Sequence, residues 1–415
     1  MQTFMSPSRC DVPLRSTICH PCAPSQQHTR AALPPYAWLD LQPYSLLSLY
    51  EASLLSMLEG PMHRLTVLKL SSPNTILGQR IHSLGWVSAT QSNHLNLTSI
   101  PRRRLPTVDA VVDLLEAAPY IREVAVLHSG PVLPSTGLPL PRRPVALNCL
   151  RTLHFTGQSA QCNAFLSRLS IPSSARVLLL GGALYTPDQS PVVPVGMRTL
   201  TSMLPEDTQL VGPLQAVRSV WLQVGGEWFA LWADPKRSDY KNRNPTVRIT
   251  FESTEDPYDH FLPNALAELP RMFHRSLTSL TVTSGGIRVV RQEQWAQLCA
   301  SFPHLRNVRL LSKFPFFEEL FQVLRLSGGA PPWPKLKNLL LGSEQAVEGD
   351  IEQMLLSLYD CVEERLRIGG ARLAELRIVT PVRSIHWEEH ASRFDGVVDR
   401  LSHCGDFNMA STALG

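Results

Sequence analysis

The sequence predicts an α/β fold in which one strand-and-helix unit is repeated many times. Three stretches share a strand template that follows a proline by two residues. With their prolines, they are residues 119–126, 303–310 and 334–341. Between such stretches, apolar residues recur at positions i, i+3, i+4 and i+7, which is the pattern of one buried stripe on a helix. A chain of 415 residues, 44% of them hydrophobic, is long enough to bury the core of a repeat array.

The strand template reads apolar-x-x-apolar-x-apolar, and its first, fourth and sixth side chains are expected to face the core. We number these template positions 1 to 6. Position 1 falls at Leu65, Ile121, Leu150, Ala175, Val217, Leu277, Leu305, Leu336 and Leu373, and residues 247–251 fit less well. Successive first positions after Ile121 are mostly about 26 to 37 residues apart, which suits a strand plus a full helix.

Six segments between the strands fit the helical stripe. They are residues 108–115, 162–169, 262–269, 295–302, 317–324 and 351–358. Thr107 is predicted to cap the first helix, because its hydroxyl can accept from a free amide of the first turn. Pro119, Pro270 and Pro303 are predicted to end helices, since proline cannot continue one.

One such unit is not stable alone, so the units must stack. Its buried strand and helix residues contribute about 1.5 to 3 kcal/mol each, whereas ordering its backbone costs about 1 to 2 kcal/mol per residue. Stacked neighbours bury both sides of each stripe. We therefore predict a leucine-rich-repeat-like solenoid, or horseshoe, with parallel strands on the concave face and helices on the convex face.

The sequence divides into three parts. Residues 1–44 are rich in Pro, Ser, Gln and His without an apolar period, which predicts a disordered N-terminal segment. Residues 45–380 form the predicted solenoid, with loop insertions at 130–148 and 228–245. Residues 381–415 are predicted to form a C-terminal helical cap and tail.

Composition narrows the class of protein. The net charge of +4 is small for this length, and no apolar run approaches a membrane span, so neither nucleic acid nor a membrane is an expected partner. Eight cysteines are spread along the chain, four of them in strand or helix contexts: Cys149, Cys162, Cys299 and Cys361. These four are predicted to be small buried side chains and not part of a disulfide framework, which fits a reducing compartment. We expect an intracellular protein of the cytoplasm or nucleus.

The alternation of a strand at 150–155, a helix at 162–169 and a strand at 171–180 resembles the leucine-rich-repeat region of fungal F-box-like proteins. The resemblance covers roughly residues 60 to 380. It implies a ubiquitin-ligase substrate receptor that recruits proteins through its repeats. Residues 33–39 resemble the opening of an F-box, but Tyr36 stands where an acidic residue is expected after the two prolines, so the F-box itself is absent or degenerate. A ubiquitin-ligase adaptor is therefore not an expected partner.

Basic residues recur at template positions 2 and 5, which should point to the concave face. They are Arg122, Arg151, Arg176, Arg218, Arg306 and Lys337 at position 2, with Lys69, Arg309 and Arg377 at position 5. Such a basic column would bind a protein partner with an acidic or phosphorylated segment. Trp221 is the candidate aromatic anchor. The alternatives are that these cations only solvate exposed strands, and that Trp221 packs under the loop at 228–245.

Two other functions are considered. His386, Glu389 and His390 match the His-x-x-Glu-His string of one group of zinc peptidases, which suggests a zinc-dependent hydrolase. Nucleic acid could bind along the basic column. The sequence carries no phosphate loop, dinucleotide fingerprint or nucleophile elbow, so we expect neither an enzyme nor a cofactor.

Three short strings have weaker interpretations. Cys10, Cys19, Cys22 and His28 could form a zinc knuckle. The Pro-Arg-Arg-Pro string at 141–144 fits a proline-helix ligand, and the three arginines at 102–104 form a minimal basic patch. Each is also compatible with an ordinary solvated segment.

Overall fold

A computed structural model describes much of the chain, and all of its elements lie in one compact unit, Tyr36–Gly415. The described residues are 37–41, 65–71, 93–98, 106–127, 131–133, 143–181, 198–225, 228–236, 244–252, 261–273, 276–284, 287, 289–313, 317–325 and 331–405. For the first two ranges only the backbone is described. Within these ranges, no helix combines the length and the apolar character needed to cross a bilayer.

The described residues form sixteen strands. They are β1 Ala37–Leu41, β2 Leu65–Ser71, β3 His94–Thr98, β4 Glu123–Leu127, β5 Val145–Ala146, β6 Thr152–Gly157, β7 Leu169–Ser170, β8 Arg176–Gly181, β9 Ser219–Val224, β10 Trp228–Asp234, β11 Val247–Glu252, β12 Ser279–Ser284, β13 Asn307–Ser312, β14 Asn338–Ser343, β15 Glu375–Val379 and β16 Leu401–Cys404.

Fourteen of these strands form one sheet, in the order β1-β2-β3-β4-β6-β8-β11-β10-β9-β12-β13-β14-β15-β16. Neighbouring strands in it are parallel, except where β10 pairs with β9 and with β11. The remaining two strands, β5 and β7, form a small parallel pair of their own. The molecule is thus a mixed α/β fold with a mostly parallel sheet, as the sequence predicts.

Helices lie between many of the strands. They are α1 Val108–Ala117, α2 Ser159–Leu166, the short α3 Gly212–Gln215, α4 Phe261–Met272, α5 Gln292–Ser301, α6 Glu318–Arg325, α7 Glu348–Arg367 and α8 Trp387–Phe394, with 3-10 turns at Leu200–Met203 and Thr208–Leu210. All six predicted apolar stripes lie on or next to these helices and are buried. Thr107 caps α1 by accepting from the amide of Ala110 at 3.2 Å.

The helices pack against one another in chain order. α1 contacts α2, α2 and α4 contact the 3-10 turn Leu200–Met203, and each later helix from α4 to α8 contacts the next. Their buried residues and the inward strand residues belong to one continuous core. We call the sheet face that turns away from this core the outer face.

Template positions 1, 4 and 6 are buried in nearly every described strand, which confirms the predicted core. In β13, for example, Leu305, Val308 and Leu310 are fully shielded. The exception is β8, where the structure buries Val177 and Leu179 in place of Leu178 and Leu180. The predicted register of that strand is therefore wrong by one residue.

A recurring turn explains the prolines of the template. The amide at position 1 donates to the carbonyl three residues earlier. These bonds join Ile121 to Ala118 at 3.1 Å, Leu305 to Phe302 at 3.1 Å and Leu336 to Trp333 at 2.9 Å. Pro119, Pro303 and Pro334 occupy the second position of these turns, where the fixed φ of proline is favourable.

The largest departure from a uniform repeat is the antiparallel meander β9-β10-β11. The chain leaves β8, forms β9 three strands away, and returns through β10 and β11 to pair with β8. β10 lies in the segment where a loop insertion at 228–245 was predicted, so that prediction is wrong for Trp228–Asp234. Phe229, Leu231 and Ala233 alternate into the core and are fully buried.

Other predicted boundaries also differ from the structure. Ala37–Leu41 is a strand paired with β2, inside the segment predicted to be disordered. Val145–Ala146 pairs with β7, inside the loop insertion predicted at 130–148. The C-terminal part contains helix α8, as predicted, but Leu401–Cys404 adds a further strand to the sheet. Pro270 lies within α4, which continues to Met272, whereas α1 and α5 do end before their prolines.

Candidate functional site

The position 2 residues lie at the amino edge of the sheet, where backbone hydrogen bonds set them one strand apart. The carbonyl of Arg122 accepts from the amides of Arg151 at 2.7 Å and Thr152 at 3.0 Å. The carbonyl of Arg306 accepts in the same way from Lys337 and Asn338, both at 2.9 Å. Each unit thus repeats the placement of its basic side chain on the next strand.

The basic residues do not form one continuous column. β11 and β10 lie between the strand of Arg176 and the strand that follows Arg218, although these two arginines belong to successive parallel template strands. The cations therefore form two groups, one on β4, β6 and β8 and one beginning at β9. Arg176 is also displaced by one residue, because it pairs with Thr152 at position 3 and not with Arg151.

Four of the predicted partner-binding cations are engaged by the fold. Arg176 donates to the carbonyl of Pro245 at 3.0 Å and to Asn244 at 3.1 Å. Arg218 donates to the carbonyl of Ser276 at 3.4 Å, and Arg377 forms an ion pair with Glu375 at 2.8 Å. Arg309 is only 6% exposed, so the prediction that it is accessible to a partner is wrong. Lys69 lies on β2, whose side chains are not described.

The other four cations are available. Arg122, Arg151, Arg306 and Lys337 are exposed. In the part of the chain that the structure describes, their side chains make no hydrogen bond and no ion pair. Among the described members of the predicted column, these four are exposed and carry no competing side-chain bond.

A tryptophan cluster lies on the outer face where the antiparallel meander joins the sheet. Trp221 on β9 pairs directly with Trp232 on β10, which in turn pairs with Arg248 on β11. The two indole rings are stacked with centroids 4.4 Å apart, and Arg248 lies over Trp232 at 5.9 Å. Trp228, on the same side of β10, meets Trp232 edge-on at 5.9 Å. We call these four residues the Trp–Arg cluster.

Several contacts hold the Trp–Arg cluster in place. The indole nitrogen of Trp221 donates to the hydroxyl of Thr283 at 3.1 Å. The amide of Gly225 donates to the carbonyl of Trp228 at 2.8 Å, and a Cβ at Gly225 would lie 2.9 Å from the Trp228 indole nitrogen. All three tryptophans stay partly exposed, and Arg248 is exposed. The cluster is therefore a fixed apolar surface with a cation at its border.

Sequence reasoning found Trp221 but missed the other members of the cluster. The alternative that Trp221 packs against the segment 228–245 agrees with its stacking on Trp232. The available signal was the alternation in Trp228–Asp234, which places the two tryptophans on one face and buried apolar residues on the other. The outer face also contains a small, buried apolar cluster formed by Leu311, Leu340 and Val379. The sequence analysis did not predict it, because it assigned only basic side chains and Trp221 to this face.

The described residues do not provide a set of ligands for the zinc ion of the hydrolase hypothesis. His386 immediately precedes α8, and its side chain is 55% exposed and lies 3.9 Å from both Glu352 and Glu389. His390 lies within α8 and is buried. His403 hydrogen-bonds to the Thr380 hydroxyl at 3.0 Å. No group of three His, Cys, Asp or Glu side chains within the described ranges could hold a metal ion. The zinc-knuckle residues and Arg102–Arg104 lie outside the described residues.

Three buried cysteines, Cys162, Cys299 and Cys361, are not activated nucleophiles. Burial raises the pKa of the Cys361 thiol to about 12, and it also raises the pKa values of Cys162 and Cys299. A thiol whose pKa is raised stays protonated near neutral pH. Cys149, predicted to be buried, is exposed.

No protein-family model matches the chain, and a search of curated proteins finds no match either. The resemblance to fungal F-box-like proteins therefore stays a prediction.

Proposed function

We propose that this protein is a non-enzymatic interaction scaffold that binds a protein partner through the outer face of its sheet. In this proposal the repeated units stack into a leucine-rich-repeat-like solenoid, and the outer face is its concave side. Two features support this arrangement: the amino-edge bonds recur from strand to strand, and the helices pack in chain order. Stacked repeats commonly provide extended binding surfaces of this kind.

The Trp–Arg cluster is the observation that carries the proposal. Tryptophan and arginine are enriched among the residues that dominate binding energy at protein interfaces. Tryptophan in addition buries a large, rigid ring at a small cost in side-chain entropy. The stacked pair of Trp221 and Trp232 is already ordered before a partner binds. Pre-ordered side chains lose less entropy on association.

The basic residues at the amino edge complement this apolar anchor. Exposed Arg122, Arg151, Arg306 and Lys337 favour a partner with acidic or phosphorylated groups. By its resemblance, we further propose that the chain is related to the substrate receptors of F-box ubiquitin ligases. Adaptor docking forms no part of the proposal, because the segment 33–36 lies outside the described residues and Ala37–Leu41 is a strand.

The test is a partner-capture experiment with matched variants of the full chain. Proteins captured by the wild type are identified by quantitative mass spectrometry, purified, and titrated against each variant by calorimetry. Trp232→Ala removes the stacked pair, Trp232→Phe keeps an aromatic ring there, and Leu356→Ala removes a 39% exposed apolar side chain from helix α7, outside the sheet.

A partner of the proposed site loses about tenfold or more in affinity with Trp232→Ala, as expected for a hot-spot residue. It keeps most of its affinity with Trp232→Phe and all of it with Leu356→Ala. If every captured partner binds Trp232→Ala as tightly as the wild type, the proposed binding surface is wrong.

A further inference from the structure

Two adjacent repeats place four basic side chains together at the amino edge of β13 and β14. His304 and Lys335 occupy the third position of the turn before each strand, and Arg306 and Lys337 occupy template position 2. All four residues are exposed. We call them the basic quartet.

The backbone fixes the spacing within the basic quartet. Leu305 and Leu336, which separate the two members on each strand, are both buried and anchor the turns to the core. The amide of Lys337 donates to the carbonyl of Arg306 at 2.9 Å, so the two repeats are in register. Neighbouring strands lie about 4.8 Å apart, which is close enough for one anionic group to contact cations from both repeats.

Among the described residues of its own two repeats, no acidic side chain pairs with the basic quartet. On the next strand, β15, Glu375 lies beside Asn338 and pairs with Arg377 at 2.8 Å. Within the described part of the chain, none of the four side chains makes a hydrogen bond or an ion pair. The residues that follow at position 3 are Asn307 and Asn338, whose side chains hydrogen-bond to each other at 2.6 Å. Asn338 is the donor in this bond, so the Asn307 amide nitrogen retains its own hydrogens for another acceptor.

The equivalent place on β4 and β6 differs. There Arg122 and Arg151 also lie one strand apart, but the residue after Arg122 is Glu123, an exposed carboxylate that pairs with His94 at 2.8 Å. The turn positions beside them hold Tyr120 and Cys149, neither of which can carry a positive charge, whereas one of the equivalent positions in the basic quartet holds Lys335. The positive charge is therefore more concentrated at the basic quartet.

We propose that the basic quartet binds a phosphoryl group carried on the polypeptide of the partner. The inference rests on the proposed function and specifies the chemistry that the partner must present. Arginine binds phosphate oxygens through two parallel hydrogen bonds, and lysine adds a point charge. A phosphoryl group carries about −1.5 to −2 charges and three acceptor oxygens, so it matches four clustered donors better than a single carboxylate does.

A protein ligand fits the surroundings better than nucleic acid. Single-stranded nucleic acid binds where basic grooves alternate with stacking aromatic platforms. The basic quartet contains only the imidazole of His304 as a ring, and the net charge of the whole chain is only +4. Nucleic acid is nevertheless included as a competing ligand in the test.

The test uses the full chain and fluorescence-polarisation titrations. The probes are a labelled degenerate peptide library with one central phosphoserine, the same library with serine, the same library with two aspartates, and an oligouridylate of matched charge. Inorganic phosphate serves as a competitor. Arg306→Glu/Lys337→Glu disrupts the basic quartet, and Arg122→Glu/Arg151→Glu makes the same change of charge on β4 and β6.

The phosphoserine library is expected to bind more tightly than the serine library and to be displaced by inorganic phosphate. Arg306→Glu/Lys337→Glu should weaken it about tenfold or more, because charge-assisted hydrogen bonds are lost. Arg122→Glu/Arg151→Glu should weaken it less than this, because Glu123 already offsets part of the positive charge there and more distant charges are screened. Equal weakening by both double variants, tighter binding of oligouridylate or of the aspartate library, or no binding of the phosphoserine library would each overturn the inference.

The two proposals fail in different ways. If a partner requires Trp232 but the phosphoserine library does not bind, the inference about the basic quartet is wrong and the scaffold proposal stands. If the phosphoserine library requires Arg306 and Lys337 but no captured partner depends on Trp232, the quartet binds phosphate and the Trp–Arg cluster is not the partner anchor.

Discussion

Glu268 offers a stringent test of how helix α4 is attached to the 3-10 turn Leu200–Met203. This carboxylate on α4 is buried and accepts from the amide of Thr199 at 2.6 Å, the amide of Thr201 at 2.8 Å and the hydroxyl of Thr199 at 3.2 Å. It thereby caps the 3-10 turn Leu200–Met203 and ties that turn to α4. The sequence separates the two partners by more than sixty residues, so the bond exists only in the folded chain.

Glu268→Ala should lower the free energy of unfolding by about 3 to 5 kcal/mol. Hydrogen bonds to a charged group contribute about 1.5 to 3 kcal/mol each, and three are lost, but the variant no longer buries a carboxylate. Glu268→Gln keeps one oxygen acceptor and turns an NH₂ group toward a donor, so its cost should be about half as large. Glu116→Ala replaces an exposed carboxylate on α1 and should change stability by less than about 0.5 kcal/mol.

Urea denaturation followed by circular dichroism measures these differences, with hydrogen exchange as a local readout. The amides of Thr199 and Thr201 should exchange faster in Glu268→Ala than in the wild type, because they lose their acceptor. A cost below about 1 kcal/mol with an unchanged denaturant slope, together with unchanged exchange at these two amides, would refute the capping role of Glu268.

Three further predictions concern titration, thiol reactivity and backbone fit. Burial lowers the pKa of His403 below its unfolded value of 6.5, so stability should fall as pH drops through 6.5 toward the folded pKa, and His403→Gln should remove this part of the pH dependence in denaturation curves. In native protein, iodoacetamide at pH 8 should label exposed Cys149 and spare Cys361, whose pKa is raised to about 12. Labelling of Cys361 in peptide maps of the native protein would contradict its burial. Gly225→Ala should displace Trp228 and cost about 1 to 3 kcal/mol by overpacking, and an unchanged tryptophan fluorescence spectrum would count against the observed packing.

The inward positions of most strands and helices could be predicted because they depend on local periodicity. Leu305, Leu336 and their equivalents recur at fixed offsets, and a residue at such an offset has to face the core wherever its neighbours are placed. The six helical stripes follow the same logic. The prolines of the template were visible too, although their role in a turn became clear only from the hydrogen bond that each turn makes.

The register of β8 could not be predicted because both faces of that strand are apolar. Val177 and Leu179 face the core, but Leu178 and Leu180 satisfy the same pattern one residue later. Register is specified by alternation between apolar and polar side chains, and a continuous apolar run removes that signal. The error moved Arg176 to position 2 in the prediction, whereas the structure places it at position 3.

The order of the strands in the sheet could not be predicted from the sequence either. A repeat template implies that successive units are neighbours, but β11 and β10 are inserted between β8 and β9. Strand pairing is a non-local property, so the alternation in β10 could predict a strand and not its partners. For that reason the stacking of Trp221 on Trp232 and the division of the basic column were not foreseen.

Which cations are available depends on contacts that no spacing rule contains. Arg218 and Arg306 occupy the same template position, yet one donates to the carbonyl of Ser276 and the other makes no side-chain bond among the described residues. The sequence places the residues on the correct edge of the sheet. Only the structure separates those that hold the fold together from those that can meet a partner.

The affinity of a captured partner for Trp232→Ala, relative to Leu356→Ala, tests the central claim most directly. The account predicts a loss of about tenfold or more for the first variant and no loss for the second. Equal affinities for the two variants, with both proteins folded by circular dichroism, would contradict the claim that this protein binds its partner through the outer face of the sheet.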